Sequence, residues 1–322
     1  MSKTPLVSPG AMRLRARQIG QVTPADSPPP PPRSLMSDIS WRFRRNRNAM
    51  FGLVTLAVLF LLVLVGPLVH GQPIDAVDLT QRAKAPSLAH PMGTDVIGQD
   101  LLARVLVGGR VSLAVGVIAA LIALTIGTAV GAAAGFRGGT IDMILMRITD
   151  LFFSLPTLPL LLLVIFAFRE PLRALIGGQL GTFVMIVAVI GGLRWMPIAR
   201  LVRAMFLTIK ELEYMQACRC IGVPWPRQVI RHMLPNALGP IVVATTLGVA
   251  AAILTESTLS FLGLGFPPDV PTWGRLLNEA RDRIDVAPHL ALFPGVMIFL
   301  TVLSINFIGD GLDHALDPRR SR

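Results

Sequence analysis

Charged residues are scarce in this sequence. They make up 15% of its 322 residues, against roughly 25% in a typical soluble domain, while apolar residues make up 52% and the mean hydropathy is +0.62. A soluble fold of this size would lack the charge to cover its surface, so the composition argues against a soluble enzyme. The net charge of +11 could indicate nucleic-acid binding, and the positions of the basic residues decide whether it does.

Catalytic motifs are also missing. A phosphate-binding loop needs Gly-Lys-Ser/Thr, but the lysines are Lys3, Lys84 and Lys210, and none follows a glycine. The histidines show no H-E-x-x-H spacing, and G-x-S-x-G does not occur. Asp142 and Asp150 could suggest an intramembrane protease or transferase, but carboxylates at helix ends are far more often caps. We therefore expect a non-catalytic chain, which is either passive or driven by a partner that binds ATP.

Cysteine is rare as well. Cys218 and Cys220 form a C-x-C pair, with no second Cys pair or nearby His pair to complete a zinc site. We expect reduced thiols, no metal and no disulfide.

Long apolar runs are abundant. Each is about 18–25 residues long, which is enough for a helix to cross roughly 30 Å of hydrocarbon. The runs are Ala49–Val69, Val111–Phe136, Leu151–Phe168, Ile176–Leu193, Leu238–Thr255 and Ala287–Ile308. They predict an all-α, multi-pass membrane protein with about six transmembrane helices: a first span at 49–69, an extracytoplasmic segment at 70–109 and core spans at 110–310.

The basic residues indicate the orientation. With the N-terminus in the cytoplasm, most of them fall in the tail at 1–48, in a short second loop, in a long loop at 194–237 and at the C-terminus. This bias follows the positive-inside rule and accounts for a pI of about 11.3 without nucleic acid. We expect both termini in the cytoplasm. The Pro/Arg-rich tail is expected to be neither helix nor signal peptide, with its Arg42–Arg47 cluster at the anionic lipid surface.

The loop at 194–237 contains a short predicted helix. Residues 208–222 have a helical pattern, with acidic residues at the favourable N-terminal end, and Gly222 suits a left-handed position just after the helix. A second helical piece, Arg227–Met233, is expected to end at Leu234–Asn236, before the fifth span. Such an exposed helix, tied to two spans, could transmit motion from a cytoplasmic partner.

The same loop resembles a known coupling motif. Glu213–Gly222 followed by Leu234-Pro235 resembles the EAA loop of ABC importer permease subunits, in which Glu-Ala-Ala, three residues and Gly precede a Leu-Pro pair. Gln216 stands in place of Glu, and Cys218 in place of the second Ala. The resemblance implies that the loop couples the chain to an ATPase subunit through Glu213, Tyr214, Gln216, Ala217, Cys218, Gly222, Leu234 and Pro235.

Six other stretches resemble the dipeptide/oligopeptide/nickel permeases, and among these the C member of the two paired subunits. They are Ser34–Arg47, His90–Asp100, Gly108–Leu113, Glu256–Gly265, Pro271–Gly274 and Asn306–Pro318. The whole resemblance covers about 34–320. It implies a type I ABC importer transmembrane domain in the bacterial inner membrane. The implied partners are a homologous second permease, two ATPase subunits that bind ATP and Mg, and an extracytoplasmic substrate-binding protein; no cofactor is implied in this chain.

The implied function is ATP-driven import of di- or oligopeptides. The same architecture could import nickel or another small solute such as glutathione, and transmembrane sequence barely discriminates between these cargoes. A membrane enzyme or a stand-alone channel is disfavoured by the missing catalytic groups and by the coupling loop.

Glu256 is the one carboxylate that the sequence places at membrane depth. An ionisable group there is costly and is by default a functional hypothesis. Two interpretations stay open: a functional intramembrane group, or a carboxylate that faces the subunit interior and bonds to Ser257, Thr258 or a partner helix.

Overall fold

The computed structural model describes residues 35–316. Residues 39–316 belong to one unit, and the described part of the preceding unit is the first turn of a helix. The regular structure of the described residues is helical, apart from one isolated bridge between Thr94 and Asp100. The longer helices are α1 Leu35–Arg45, α2 Arg47–His70, α3 Leu101–Arg137, α4 Gly139–Ser154, α5 Thr157–Ile176, α6 Gly178–Gly192, α7 Met196–Lys210, α8 Glu213–Cys220, α9 Leu234–Phe261, α10 Trp273–Ala280 and α11 His289–Leu316.

Up to six membrane passages are formed by these helices. Four helices are long and apolar enough to cross alone: α2, α3, α9 together with the short turns before it, and α11. The pairs α4/α5 and α6/α7 are bent by 91° and 41°, and each adds one further passage when it is counted as a single broken span. The prediction of about six spans is therefore confirmed. The predicted unbroken span Leu151–Phe168 is wrong, because Pro156 between α4 and α5 lacks the N–H and the backbone freedom that a continuous helix needs.

The tail at 1–48 does contain a helix, and the prediction of none is wrong for its last part. Helix α1 covers Leu35–Arg45, where Ile39 and Phe43 share one helical face at i and i+4. Asn46 then caps α2, since its side chain accepts the N–H groups of Asn48 and Ala49 at 3.1 and 3.2 Å. The rest of the predicted tail, residues 1–34, lies outside the described residues.

Helix α7 occupies much of the segment that was predicted as a loop at 194–237. Its apolar face is buried through Ala199, Val202 and Phe206. This face packs on a row of glycines in α3, Gly127, Gly131 and Gly135, where any Cβ would approach α7 atoms to 2.7 Å or less. The loop prediction is thus wrong for Met196–Lys210, and the exposed segment begins at Glu211.

The charges on α7 made it resemble a loop. Two of them pair with α4: Arg203 makes two bonds to Asp142 at 2.5 and 2.7 Å, and Arg200 makes one to Asp150 at 2.6 Å. Helix α7 therefore carries charge on one side and packs its apolar side against α3. A count of charged residues along the sequence does not distinguish such a two-sided helix from a loop.

One end of the helical unit carries α8, and we call it the α8 end. Asn236, near the start of α9, donates to the hydroxyl of Tyr214 in α8 at 3.2 Å. Leu316, at the end of α11, lies beside Gly239 of α9, and Ala49, near the start of α2, lies against the last turns of α11. The first and last membrane passages therefore begin and end, respectively, at the α8 end.

The opposite end holds the connections that follow α2 and α9. His70 at the end of α2 bonds to Asp100 at 2.9 Å, and Asp100 also caps α3 by accepting the N–H of Ala103 at 2.7 Å. Asn278 of α10 donates to the carbonyl of Phe261, the last residue of α9, at 2.7 Å. Helix α3 thus begins at this end, before the apolar run that was predicted to start the second span.

Candidate functional site

Helix α8 is held to the membrane helices by one buried side chain. Met215 is fully buried in a cluster with Phe206 and Ile209 of α7, Met233 and Ala237. The remaining face of α8 is largely open to solvent, so Met215 is the buried apolar contact of α8 with both α7 and α9.

Gly222 ends the α8 region as the sequence predicted. Its φ is +74°, the left-handed region that favours glycine, and its N–H bonds to the carbonyl of Arg219 at 3.0 Å. No heavy atom lies within 4 Å of the position that a Cβ would take. The glycine is therefore required by the backbone conformation and not by crowding inside this chain.

The predicted coupling residues form one exposed surface, which we call the α8 surface. Glu213, Tyr214, Gln216, Ala217, Gly222 and Pro235 are exposed, and Cys218 and Leu234 are half-buried. The sequence analysis missed two large apolar members of this surface, Ile221 at 78% and Trp225 at 58% exposure. Solvent-facing apolar side chains beside a rigid helix are typical of a protein-binding surface. Ile221 and Trp225 flank the segment from Gly222 to Pro224 that ends the α8 region, and this position in the sequence is the signal that could have identified them.

Polar contacts hold this surface in place. The amide of Gln216 donates to the carbonyl of Glu211 at 3.2 Å, and the Tyr214 hydroxyl accepts from Asn236. Burial, and to a lesser extent the nearby Cys218 thiol, raise the pKa of Tyr214 above its ordinary value. The phenol therefore stays neutral at physiological pH and keeps its proton available for donation.

The segment that follows the α8 surface is continuous with α9. A helical turn at Trp225–Arg227 runs into a π-helical turn at Gln228–Met233 and then into α9. The predicted end at Leu234–Asn236 is therefore wrong. A proline ring clashes with the carbonyl four residues earlier in a regular α-helix, and for Pro235 that carbonyl belongs to Arg231, inside the wider π turn. The π turn lets the helix pass the proline.

Glu256 is completely buried and bonded within this chain. Its carboxylate accepts the hydroxyl of Ser260 at 2.7 Å and that of Ser112, on α3, at 3.1 Å. The oxygen of Ser112 also accepts the backbone N–H of Trp273 at 3.2 Å. The structure thus places Glu256 in a junction of α3, α9 and α10, closed to solvent, where it orients helices.

Arg194 is a further ionisable group inside the helical unit, and the sequence analysis assigned it to a loop. It lies in the break between α6 and α7 and is half-buried. Its Nη2 donates to the hydroxyl of Thr255 on α9 at 2.6 Å. The paired glycines before it, Gly191-Gly192, and Pro197 after it are the sequence signal for a broken helix that could have placed it there.

The sequence matches two known profiles. Residues 123–322 match the binding-protein-dependent transport system inner membrane component, and residues 34–88 match the N-terminal TM domain of oligopeptide transport permease C. The chain belongs to the family of binding-protein-dependent transport system inner membrane components. The predicted resemblance to ABC importer permeases is therefore confirmed, as is a multi-pass membrane protein.

Relatives within this family align over nearly the whole chain. The oligopeptide transport system permease protein OppC of Escherichia coli K12 is 40% identical over 289 residues, which is 89% of this chain and 92% of the relative. The dipeptide transport system permease protein DppC of Bacillus subtilis 168 is 39% identical over 300 residues, 92% of this chain and 90% of the relative.

The fold has a counterpart among solved structures. A chain of the MetNI methionine ABC transporter, in an inward-facing conformation, superposes with a TM-score of 0.53 at 20% identity, covering 67% of this permease and 96% of that chain. The predicted all-α fold of an ABC importer transmembrane domain is confirmed by this likeness.

Proposed function

We propose that the permease is the C-type membrane subunit of an ATP-driven, binding-protein-dependent importer of di- or oligopeptides. The observation that carries the proposal is the match of residues 34–88 to the N-terminal domain of oligopeptide permease C, because this segment precedes the part shared by the wider family. The names of the two relatives, an oligopeptide and a dipeptide permease, support the same cargo.

The α8 surface is the proposed contact with an ATPase subunit. It is a short helix, exposed on one side and anchored by Met215 on the other, with Ile221 and Trp225 available for burial in a partner. The complex we propose contains a homologous second permease, two ATPase subunits that hold ATP and Mg, and an extracytoplasmic binding protein. In this arrangement the α8 end is cytoplasmic, so that both termini and the ATPases share one side of the membrane.

The coupling we infer is mechanical. Closure of the ATPases on ATP moves α8, and the rigid packing of Met215 between α7 and α9 passes the displacement into two membrane passages. The π turn at Gln228–Met233 gives the start of α9 a point at which its angle can change. The helices then rock between inward-open and outward-open arrangements, and cargo enters a cavity between the two permeases.

Arg194 favours peptides over nickel among the candidate cargoes. Within residues 35–316 Arg194 has no ion pair. A guanidinium of this kind in a membrane passage repels a divalent cation, and the repulsion is strong where water is scarce. Glutathione, an anionic tripeptide, is compatible with such a group, as are peptides that carry a terminal carboxylate.

Reconstitution tests the proposal. The permease, its paired permease, the ATPases and the binding protein, placed together in liposomes with ATP, are expected to accumulate labelled di- to pentapeptides, and omission of any one component is expected to abolish uptake. The permease alone is expected to hydrolyse no ATP. Saturable uptake of labelled nickel that a large excess of peptides does not inhibit would contradict the peptide assignment.

A further inference from the structure

Arg194 lies inside a bent membrane passage. Counted as one broken span, α6 and α7 run from Gly178 to Lys210, and Arg194 lies in the break between them, beside Thr255 of α9. A charged side chain at such depth is rare in membrane proteins and typically lies on a substrate or ion path or beside a charged partner.

The hydrogen bonds of this guanidinium are few. Within the described part of the chain, one of its five N–H groups is bonded, to Thr255 Oγ1 at 2.6 Å. Thr255 in turn donates its own proton to the carbonyl of Ala251 at 2.7 Å, which leaves its oxygen free to accept. Thr255 therefore orients Arg194 without neutralising it. The Nε of Arg194 is enclosed and has no hydrogen-bond partner among residues 35–316.

No carboxylate of the described residues forms an ion pair with Arg194. Arg104, the buried arginine of the outer junction, does have such partners, since it pairs with Asp95 and Glu279. Glu256 follows Thr255 in the sequence, but its oxygens are taken by Ser112 and Ser260. The guanidinium is thus oriented, partly desolvated and without a counter-ion in residues 35–316.

The backbone near Arg194 is uncrowded at two glycines. No heavy atom lies within 4 Å of a Cβ position on Gly192, two residues before it, or on Gly248, which lies two turns before Thr255 in α9. Helix α7 begins at Met196, two residues after Arg194, and the positive end of its dipole adds to the local potential.

We propose that Arg194 binds the C-terminal carboxylate of a peptide as it passes through the membrane. This inference rests on the proposed peptide cargo. A planar guanidinium matches the two oxygens of a carboxylate with parallel N–H groups, and the terminal carboxylate is common to linear peptides whatever their side chains. One fixed cation can therefore guide varied sequences through a cavity that makes no side-chain-specific contacts.

A carboxylate of the second permease subunit is the other source of the same chemistry. If it were the partner, Arg194 would join the two subunits and would not distinguish one peptide from another. The test therefore has to separate selectivity between peptides from assembly of the pair.

The test uses the complete complex in liposomes and two labelled cargoes, tri-alanine with a free C-terminal carboxylate and tri-alanine amide, each at a concentration that saturates the binding protein. Uptake is expressed per loaded binding protein, so that differences in how the binding protein recognises the two cargoes do not affect the comparison. The variants are Arg194→Gln and the charge-preserving Arg194→Lys. Arg173→Gln is the matched control, since Arg173 is a surface arginine paired at 3.5 Å with the exposed Glu170.

We expect Arg194→Gln to lower uptake of the free carboxylate form about tenfold, the size of one lost charge-assisted bond, and to leave the amide form near the original rate. Arg194→Lys is expected to show a smaller loss, again only for the carboxylate form, and Arg173→Gln to show none. In a variant complex that still contains the second permease, equal losses for both cargoes, or no loss for either, would overturn the proposal.

Two further outcomes also test the proposal. If Arg194→Gln does not assemble, Arg194→Lys decides alone: a selective loss for the carboxylate form supports the proposal and equal rates overturn it. If the unmodified complex imports neither tri-alanine nor any other short peptide, the peptide function itself is wrong. That result differs from a complex that imports peptides without regard to Arg194.

Discussion

Ser112 of α3 donates its hydroxyl proton to Glu256 of α9 across 3.1 Å, and the same oxygen accepts the backbone N–H of Trp273 at 3.2 Å. The indole of Trp273 donates in turn to the carbonyl of Val105 at 3.0 Å. A single buried hydroxyl therefore connects two membrane passages with α10, which lies at the end opposite α8.

Removal of this hydroxyl is expected to destabilise the complex. Ser112→Ala leaves a buried carboxylate oxygen and a buried N–H without their partner, which costs roughly 1–3 kcal/mol. The expected result is a lower midpoint in thermal unfolding of the purified complex. Ser154→Ala is the control, because Ser154 is exposed and bonds only within its own helix, to Leu151 at 2.8 Å. An unchanged midpoint for Ser112→Ala would show that the junction contributes nothing.

Much of the fold could be predicted from the sequence, because long uncharged runs leave little alternative to membrane helices. The breaks could not. Pro156 and Pro159 are compatible with one kinked span or two helices, and only packing selects the 91° bend between α4 and α5. Likewise, the charged side of α7 hid an apolar side that packs on the glycines of α3.

The candidate site was predictable in part for a different reason. Gly222 and the residues around it follow a local pattern, and its left-handed φ of +74° is as expected. The position of Arg194 depends on where the α6/α7 passage breaks and on a contact with Thr255, which is 61 residues away in the sequence. Sequence spacing alone carries no information about that contact.

The orientation of the chain gives a further prediction. A reporter that is active only outside the cytoplasm is expected to be active when fused after Gln81 or within 269–283, and inactive after Arg137 or Cys220. The reason is that the basic residues concentrate in the segments of the α8 end, which the positive-inside rule places in the cytoplasm. Activity at Cys220 would be incompatible with an ATPase contact through α8.

Changes on the α8 surface are expected to stop transport without unfolding the permease. Ala217→Glu and Gly222→Asp place bulk and charge on an exposed surface, and the second change costs about 1 kcal/mol because Gly222 has a positive φ. Both variants should insert and pair with the second permease, yet support no peptide uptake, as measured in the reconstituted complex.

Cys218→Ala is the matched control for these changes. Alanine is the residue that the EAA pattern has at this place, so the variant is expected to transport at close to the original rate. Full uptake by both Ala217→Glu and Gly222→Asp would remove the α8 surface from the coupling path.

Met215 provides the test that separates docking from force transmission. Its side chain is fully buried between α7 and α9, and truncation in Met215→Ala is expected to cost roughly 2–5 kcal/mol of local packing while leaving the exposed face of α8 unchanged. The ATPases should therefore still bind and hydrolyse ATP, but each cycle should move the membrane helices less. We expect the number of peptides imported per ATP to fall several-fold, measured as uptake and phosphate release in the same liposomes. Met143→Ala is the control, since Met143 of α4 is 66% exposed. A parallel fall of ATP hydrolysis and uptake would instead assign Met215 to docking of the ATPase.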